Sequence, residues 1–519
     1  MNKLLTTMIV GLAGIQGITQ AAESRPKLVV GIVIDQLRTD YLENLRDLLG
    51  QGGFKRLMDK GLFIKEIDFK IPAPDAASAA AIVNTGTYPR KNGVMAAEVY
   101  NPSTKTLSSV FNDPAYIGNF TSETYSPAAL KVTTISDEIA LATEGAASIH
   151  SIAPDAETAL VLAGHAGNSA FWINENTGKW SSTTYYPTAP VSLQNKNYNQ
   201  PLVSRLDTMR WMPLKGGIAY PDVPSIRIAE GFRYTFPRSD KDVYKLYKSS
   251  PYVNSDITDA AIDYIRDMHL GSRSEGTDVL NLGFTLAPYP GVSKGDGRYE
   301  AEDAYLRLDN DLGKLFNEID RRVGLENTLV YVTSTGYYSE PATNDAKFKL
   351  PGGSFSVKRA LSLLNSFLSA KYGNGSYIDR YNDSQIYLDS KAIEDRGLDI
   401  NKIAEESRDF LVKISGISDA YTNSDLMSPA VPQLEGHRLA IDPKLSGDIL
   451  IEFNPGWQIT DDTVYPVKIK ENKTTAYSSP AFIMGAGTAP EIAEGPVDAA
   501  AIAKRVAARL HIRPPTGMR

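Results

Sequence analysis

The chain has 519 residues, 42% of them hydrophobic and 22% charged, with a formal net charge of −7. A chain of that length and balance can bury a large core. Its acidic character, without a Lys/Arg cluster, excludes the usual signatures of nucleic-acid binding and of attraction to anionic lipid. It has no cysteine, which rules out disulfides, thiolate nucleophiles and Cys-bound zinc. The five histidines, His150, His165, His269, His437 and His511, are too far apart in sequence to form a local metal motif.

In chain order, Lys3 followed by an apolar run over residues 4–15 reads as the start of a signal peptide, because the run is too short to span a bilayer. Thr19-Gln20-Ala21 supplies small residues for cleavage, so residues 1–21 are expected to be removed. No later segment is expected to span a membrane. Export without cysteine suits a bacterial periplasm or cell surface.

Residues 27–35 (KLVVGIVID) form a continuous apolar run ending in an acid, as in a strand buried on both faces of a parallel sheet. Ligand sites in such sheets lie beyond the carboxyl ends of the strands, which places Asp35 at one. Residues 42–60 have helical spacing and stop at Gly61, and 76–83 form an Ala-rich helix that stops near Gly86. Further strands are expected at 277–284, 327–333 and 480–485, with an amphipathic helix over 302–323. The alternation argues for an α/β fold with a mainly parallel central sheet flanked by helices. Two stretches interrupt it. Residues 166–270 read as an irregular insertion rich in Tyr, Trp, Ser and Pro. Residues 346–470 read as a second insertion, with helices and a strand at 448–453.

The opening VVGIVIDQLRTDYL with GGFKRLMDKG resembles the type I phosphodiesterase/nucleotide pyrophosphatase branch of the alkaline phosphatase superfamily. Within that branch it is most similar to the PafA-type periplasmic alkaline phosphatases. Thr85-Gly86-Thr87-Tyr88-Pro89, LAGHAGNSAFWINENTGKW (162–180), EAEDAYLRLDNDLGKLF (300–316), SQIYLD (384–389), SGDILIEFNPGW (446–457) and LHIRPPTG (510–517) extend the likeness over most of residues 27–519.

The resemblance implies an alkaline-phosphatase-like sandwich, two zinc ions held by about six Asp and His ligands, and a Thr or Ser nucleophile at a helix N-terminus. Residue by residue, the implied set is largely replaced. The first ligand matches Asp35, but the nucleophile position is Ala76. An Asp-x-x-x-His pair falls on Pro288 and Val292, an Asp-His pair on Thr335 and Gly336, and the last His on Ser478. The phosphate-binding Asn falls on Ala97, and a Lys-x-Arg pair on Asp155 and Glu157.

These substitutions lead to the expectation of a catalytically inactive protein that binds no metal or other cofactor. It would act as an exported binding or scaffolding subunit with a protein partner, in a periplasmic or outer-membrane complex. The partner is expected on the two insertions, at the mouth of the cleft. Two alternatives stay open. One is a metal-dependent phosphomonoesterase or phosphodiesterase with an altered active site. The other is a small-ligand receptor using a cleft lined by Pro288, Val292, Ala76, Ala97 and Tyr337. Single residues have plainer readings too. Asp35 could be a lone ligand or base, or an acceptor of turn N–H groups. His165 is expected to be structural, and Ser78 lies off the nucleophile position. The aromatic stretch 172–186 suits either a binding face or a packed core.

Overall fold

The computed structural model describes residues 25–519 apart from 216–219, 222, 274–275, 291, 293–296, 337, 339–351, 430 and 472–476. The expected signal peptide and Tyr337 therefore lie outside the described residues. Among the described residues no helix is long and apolar enough to cross a membrane.

The apolar run is strand β1, Leu28–Asp35, buried along its length until Asp35. Its side chains alternate between two cores, as the two-residue period of a strand requires. Leu28, Val30, Ile32 and Ile34 pack on one face, while Val29 and Val33 face the other. Around it lie β2 (Leu62–Ile64), β3 (Gly118–Asn119), β4 (Ile149–Ala153), β5 (Ser169–Ile173), β6 (Trp180–Thr183), β7 (Asp278–Thr285) and β8 (Thr328–Ser334). A four-stranded sheet follows, made of β9 (Ile378–Asn382), β10 (Gln385–Leu388), β11 (Ile417–Thr422) and β12 (Ile449–Phe453). The strands β13 (Ala481–Gly485) and β14 (Glu491–Ala493) then return to the first sheet.

The central sheet has ten strands in the order β14-β2-β13-β8-β1-β7-β4-β5-β6-β3. Its middle, β8-β1-β7-β4-β5, is parallel, and β13 and β6 flank that middle in antiparallel fashion. Asp35 stands opposite Thr285 in β7, and Ile34 opposite Ser334 in β8. Three strand ends thus converge at one carboxyl edge.

Helices α1 (Ala76–Thr85), α2 (Ala156–Ala163), α3 (Val243–Lys248), α4 (Tyr252–Asp267) and α5 (Arg298–Arg322) surround this sheet. With them stand α6 (Val357–Tyr372), α7 (Ile400–Leu411) and α8 (Ala501–Arg509). One face of the sheet is covered by α4 and α5, and the other by α1, α2 and α8. Helix α1 ends where expected: Gly86 has φ +66°, the left-handed stop that a glycine adopts at little cost.

Three expectations need correction. Residues 42–60 are not one helix but two short ones, Thr39–Asn44 and Phe54–Lys60. The Asp309 carboxylate accepts the backbone N–H groups of Gly50 and Phe54, both at 2.7 Å, and holds the chain in a turn between them. A Cβ on Gly53 would come within 2.3 Å of Asp309, so the glycines make this approach possible.

The stretch 166–270 is less irregular than expected, since β5 and β6 belong to the central sheet and α4 packs on it. Trp172, Trp180 and Tyr186 are buried, so the aromatic stretch is core rather than a binding face. Residues 352–470 carry more strands than the one expected, and β9–β12 with α6 and α7 build a separate hydrophobic core.

Candidate active site

Beyond the carboxyl ends of β1, β7 and β8 lies a cleft of about 280 Å³, lined by Asp35, Ala76, Asp155, Glu175, Lys245, Lys248, Thr285 and Thr335 among others. Asp35 is fixed there by its neighbours. Its Oδ1 accepts the Thr335 hydroxyl at 2.9 Å, and its backbone carbonyl accepts the Leu286 N–H at 2.9 Å. Burial pushes its carboxyl up to about 7, against the lowering effect of the Thr335 bond, and the negative charges of Asp155 and Asp75 push in the same direction as burial. A carboxylate that ionises near neutrality in a cleft is suited to general-base work.

Two helix N-termini point toward the same edge. Asp75 caps α1: Oδ1 takes the Ser78 N–H at 2.8 Å and Oδ2 the Ala97 N–H at 2.6 Å. Asp155 caps α2 through the Thr158 N–H at 2.8 Å. Each helix end, where an anion is favoured, is thus occupied by a carboxylate of the chain itself. Glu157 accepts the Ser109 hydroxyl at 2.8 Å. Burial, then the charge of Asp155, raises its carboxyl to about 7. Positive charge comes from the other wall, where Lys245 and Lys248 extend from α3. Lys245 lies 3.6 Å from Glu175, and Lys248 is close enough to Glu157 to favour its ionised form.

The structure gathers Asp35, Ala76, Asp155 and Thr335 into this cleft and separates the rest. Pro288 and Val292 line a neighbouring pocket. Ala97 offers its backbone N–H to Asp75, and Gly336 turns the chain with φ +67°. Ser478 is exposed, and its carbonyl accepts the Thr39 N–H at 2.9 Å. His165 is structural, as expected: Nδ1 lies 2.9 Å from Asp137 Oδ2 and Nε2 lies 3.1 Å from the Leu130 carbonyl. Ser78 is buried, and its hydroxyl donates to the Asp75 carbonyl.

Sequence reasoning missed Asp75, Glu175, Lys245 and Lys248. An Asp directly before an Ala-rich helix is a cap signal, so Asp75 could have been found. The other three reach the cleft only through tertiary folding and carry no local signal.

The mainly parallel sheet with helices on both faces and a cleft at its carboxyl edge is an α/β fold of the alkaline phosphatase type, and the chain belongs to the type I phosphodiesterase/nucleotide pyrophosphatase family, whose profile matches residues 29–478. It is 29% identical over 526 residues to alkaline phosphatase PhoV of Synechococcus elongatus, covering 95% of this chain and 92% of that one. It is 28% identical over 552 residues to alkaline phosphatase PafA of Elizabethkingia meningoseptica, covering 99% and 96%. The crystal structure of wild-type PafA superposes with a TM-score of 0.81 at 24% identity, covering 96% of this chain and 98% of the other, which shows a shared fold.

These likenesses correct two expectations. Relatives matching nearly the whole chain are alkaline phosphatases, so the expectation of a non-enzyme is overturned. The expectation of no cofactor rested on the same substitutions and falls with it.

The two zinc ions implied by the resemblance are still not matched by a ligand set here. Among the described residues, no three His, Asp or Glu side chains converge as a metal site requires. Of the positions the resemblance implies as ligands, Asp35 carries a carboxylate, and that carboxylate is engaged by Thr335. No metal-bound step can be written from these residues, so the roles derived below are those of the side chains themselves.

Proposed function

We propose that the chain is an exported phosphate-ester hydrolase of this family, working through an altered set of residues. The observation that carries this reading is Asp35, a carboxyl ionising near neutrality on the floor of a cleft that two lysines also line. In its ionised form Asp35 takes a proton from a water molecule. The water oxygen forms a bond to phosphorus, the ester P–O bond breaks, and the leaving oxygen takes a proton from solvent water, to which Asp35 afterwards returns its own. Lys245 and Lys248 hold the negative phosphate oxygens against the charges of Asp155 and Glu157. Thr335 fixes the position of the Asp35 carboxylate.

The test is hydrolysis of p-nitrophenyl phosphate and bis(p-nitrophenyl) phosphate by the purified protein, with and without added zinc. Asp35→Asn serves as the matched control. Turnover by the natural chain about a hundredfold or more above the control supports the reading, in line with the gain expected of a general base. Turnover no greater than that of Asp35→Asn under every condition contradicts it.

A further inference from the structure

The cations of the chain are not spread evenly. No Asp or Glu follows Asp498, whereas Lys504, Arg505, Arg509, Arg513 and Arg519 all do. Helix α8 sorts them by face. Ile502, Ala503, Val506 and Ala507 are buried in the core beneath it. On its other side Lys504 is exposed and Arg505 and Arg509 are partly so, and Arg513 is exposed in the segment that follows. Arg519 pairs with the buried Glu138 at 2.6 Å. Among the described residues, no carboxylate lies within 4 Å of the other four. Arg509 donates instead to the Thr488 hydroxyl at 3.3 Å and to the Arg505 carbonyl at 3.4 Å. Burial, then the charge of Arg505, disfavours its charged form, and Glu491 offsets this only in part. The helix dipole favours a cation in the last turn, but that accounts for Arg509 alone.

The place of these cations matters as much as their charge. Thr488 follows β13 at the end where Gly485 pairs with Leu329, near the start of β8. Asp35 and Ser334 stand at the other end of the same sheet. The last residues of the chain pass Gly86, where Met518 packs, and Gly86 closes the end of α1 remote from Ala76 and the cleft. Arg509 and the segment after it thus lie at the edge opposite the cleft, with Lys504 and Arg505 one to two turns back along α8.

We propose that this face seats the chain on an anionic lipid surface, with Lys504, Arg505, Arg509 and Arg513 against the headgroup phosphates and the cleft turned toward solution. A convex helix face with cations spread along it matches a planar array of anions, as polybasic helices do. The net charge of −7 argued against such attraction, but it describes the whole chain, and this face departs from it. The same surface repels the acidic remainder of the chain, so charge sets the orientation as well. The choice of lipid rests on the exported location proposed above and needs no hydrolase activity.

The test is sedimentation of the full chain with vesicles of equal parts phosphatidylglycerol and phosphatidylcholine, and with vesicles of phosphatidylcholine alone. The chain should bind the anionic vesicles at about 20 mM salt, leave them at about 500 mM, and ignore the neutral ones. Each cation near such a surface contributes about fivefold in partitioning. Replacing all four by Gln should therefore weaken binding by about a hundredfold or more. Lys504→Glu alone changes one exposed side chain, so it guards against misfolding, and it should weaken binding at least about fivefold. Lys391, Lys402, Lys413 and Lys444, all exposed in the second insertion, can be changed together to Gln to remove the same charge elsewhere, and binding should persist. Orientation is read by acetylating surface lysines on the vesicle-bound chain and locating the acetyl groups by mass spectrometry. Lys504 should be protected and Lys245, at the cleft, should react. No binding to anionic vesicles, equal loss in the insertion variant, or binding to duplex DNA in place of vesicles overturns the proposal. Protection of Lys245 with Lys504 left reactive overturns the orientation. Neither measurement uses turnover, so failure of the hydrolase reading leaves both intact.

Discussion

The Thr335 hydroxyl lies 2.9 Å from Asp35 Oδ1, and its oxygen also accepts the Gln36 backbone N–H at 3.1 Å. An ionised carboxylate can only accept, so in that state the hydroxyl donates its proton to Asp35. This bond opposes burial by favouring the ionised form. Replacing Thr335 by Val removes the donor while keeping the shape. The Asp35 carboxyl should then titrate above its present value of about 7, as read by 13C NMR of labelled aspartate. Loss of the Gln36 N–H bond to Thr335 should also cost stability, about 0.5–1.5 kcal/mol in urea unfolding.

The same carboxyl makes stability depend on pH. Its folded value near 7 lies above the ordinary 3.8, so between those values the folded chain holds a proton that the unfolded chain has released. Asp35 therefore makes stability fall as pH rises from about 4 through about 7, after which its effect is constant. Asp35→Asn should melt at a higher temperature than the natural chain at pH 8, and at a similar one at pH 4. Equal melting temperatures at pH 8 would show that the carboxyl is not held in this way.

His150 acts on the opposite side. It is fully buried between Ser148 and Ser169, each within 2.8 Å of a ring nitrogen. Burial, with the nearby charge of Arg273, lowers it to about 4. Its folded value lies below the ordinary 6.5, so the unfolded chain takes up the proton first. Stability should then fall as pH drops from about 6.5 to about 4. His150→Gln should flatten that decline in a series of calorimetric scans across this range.

At the centre of the sheet, Gly31 leaves no room for a side chain. A Cβ there would lie 2.3 Å from Asn281 Oδ1 and 2.4 Å from the Tyr331 hydroxyl. Asn281 is itself held by bonds to Ser136 and to the Leu162 carbonyl. Gly31→Ala should destabilise the chain by about 1–3 kcal/mol, the usual cost of overpacking. The urea midpoint measures it.

The parts of the fold written in local pattern were legible in the sequence. The unbroken apolar run before Asp35 identified the central strand and placed the acid at its carboxyl end. The Ala-rich run before Gly86 marked α1, and Leu306, Leu312, Leu315 and Ile319 marked the buried stripe of α5. Long-range features were not legible. The break between Thr39–Asn44 and Phe54–Lys60 depends on Asp309, more than 250 residues away in sequence. Lys245 and Lys248 lie in a stretch whose composition suggests a loop, and only its folding beside the turn that joins β5 and β6 brings them to the cleft that Asp35 lines. Counting residues against the family gave expected site positions by number alone. It could not show that Pro288 and Val292 border a second cavity beside the cleft.

The account depends most directly on Asp35 as the base, and the pH profile of kcat/KM for p-nitrophenyl phosphate tests it. Because only the ionised carboxylate takes the proton from water, the profile should rise through an inflection near pH 7 and level off on the alkaline side. Asp35→Asn should lose that limb together with most of the rate. A profile that keeps the same inflection and amplitude in Asp35→Asn would contradict the account.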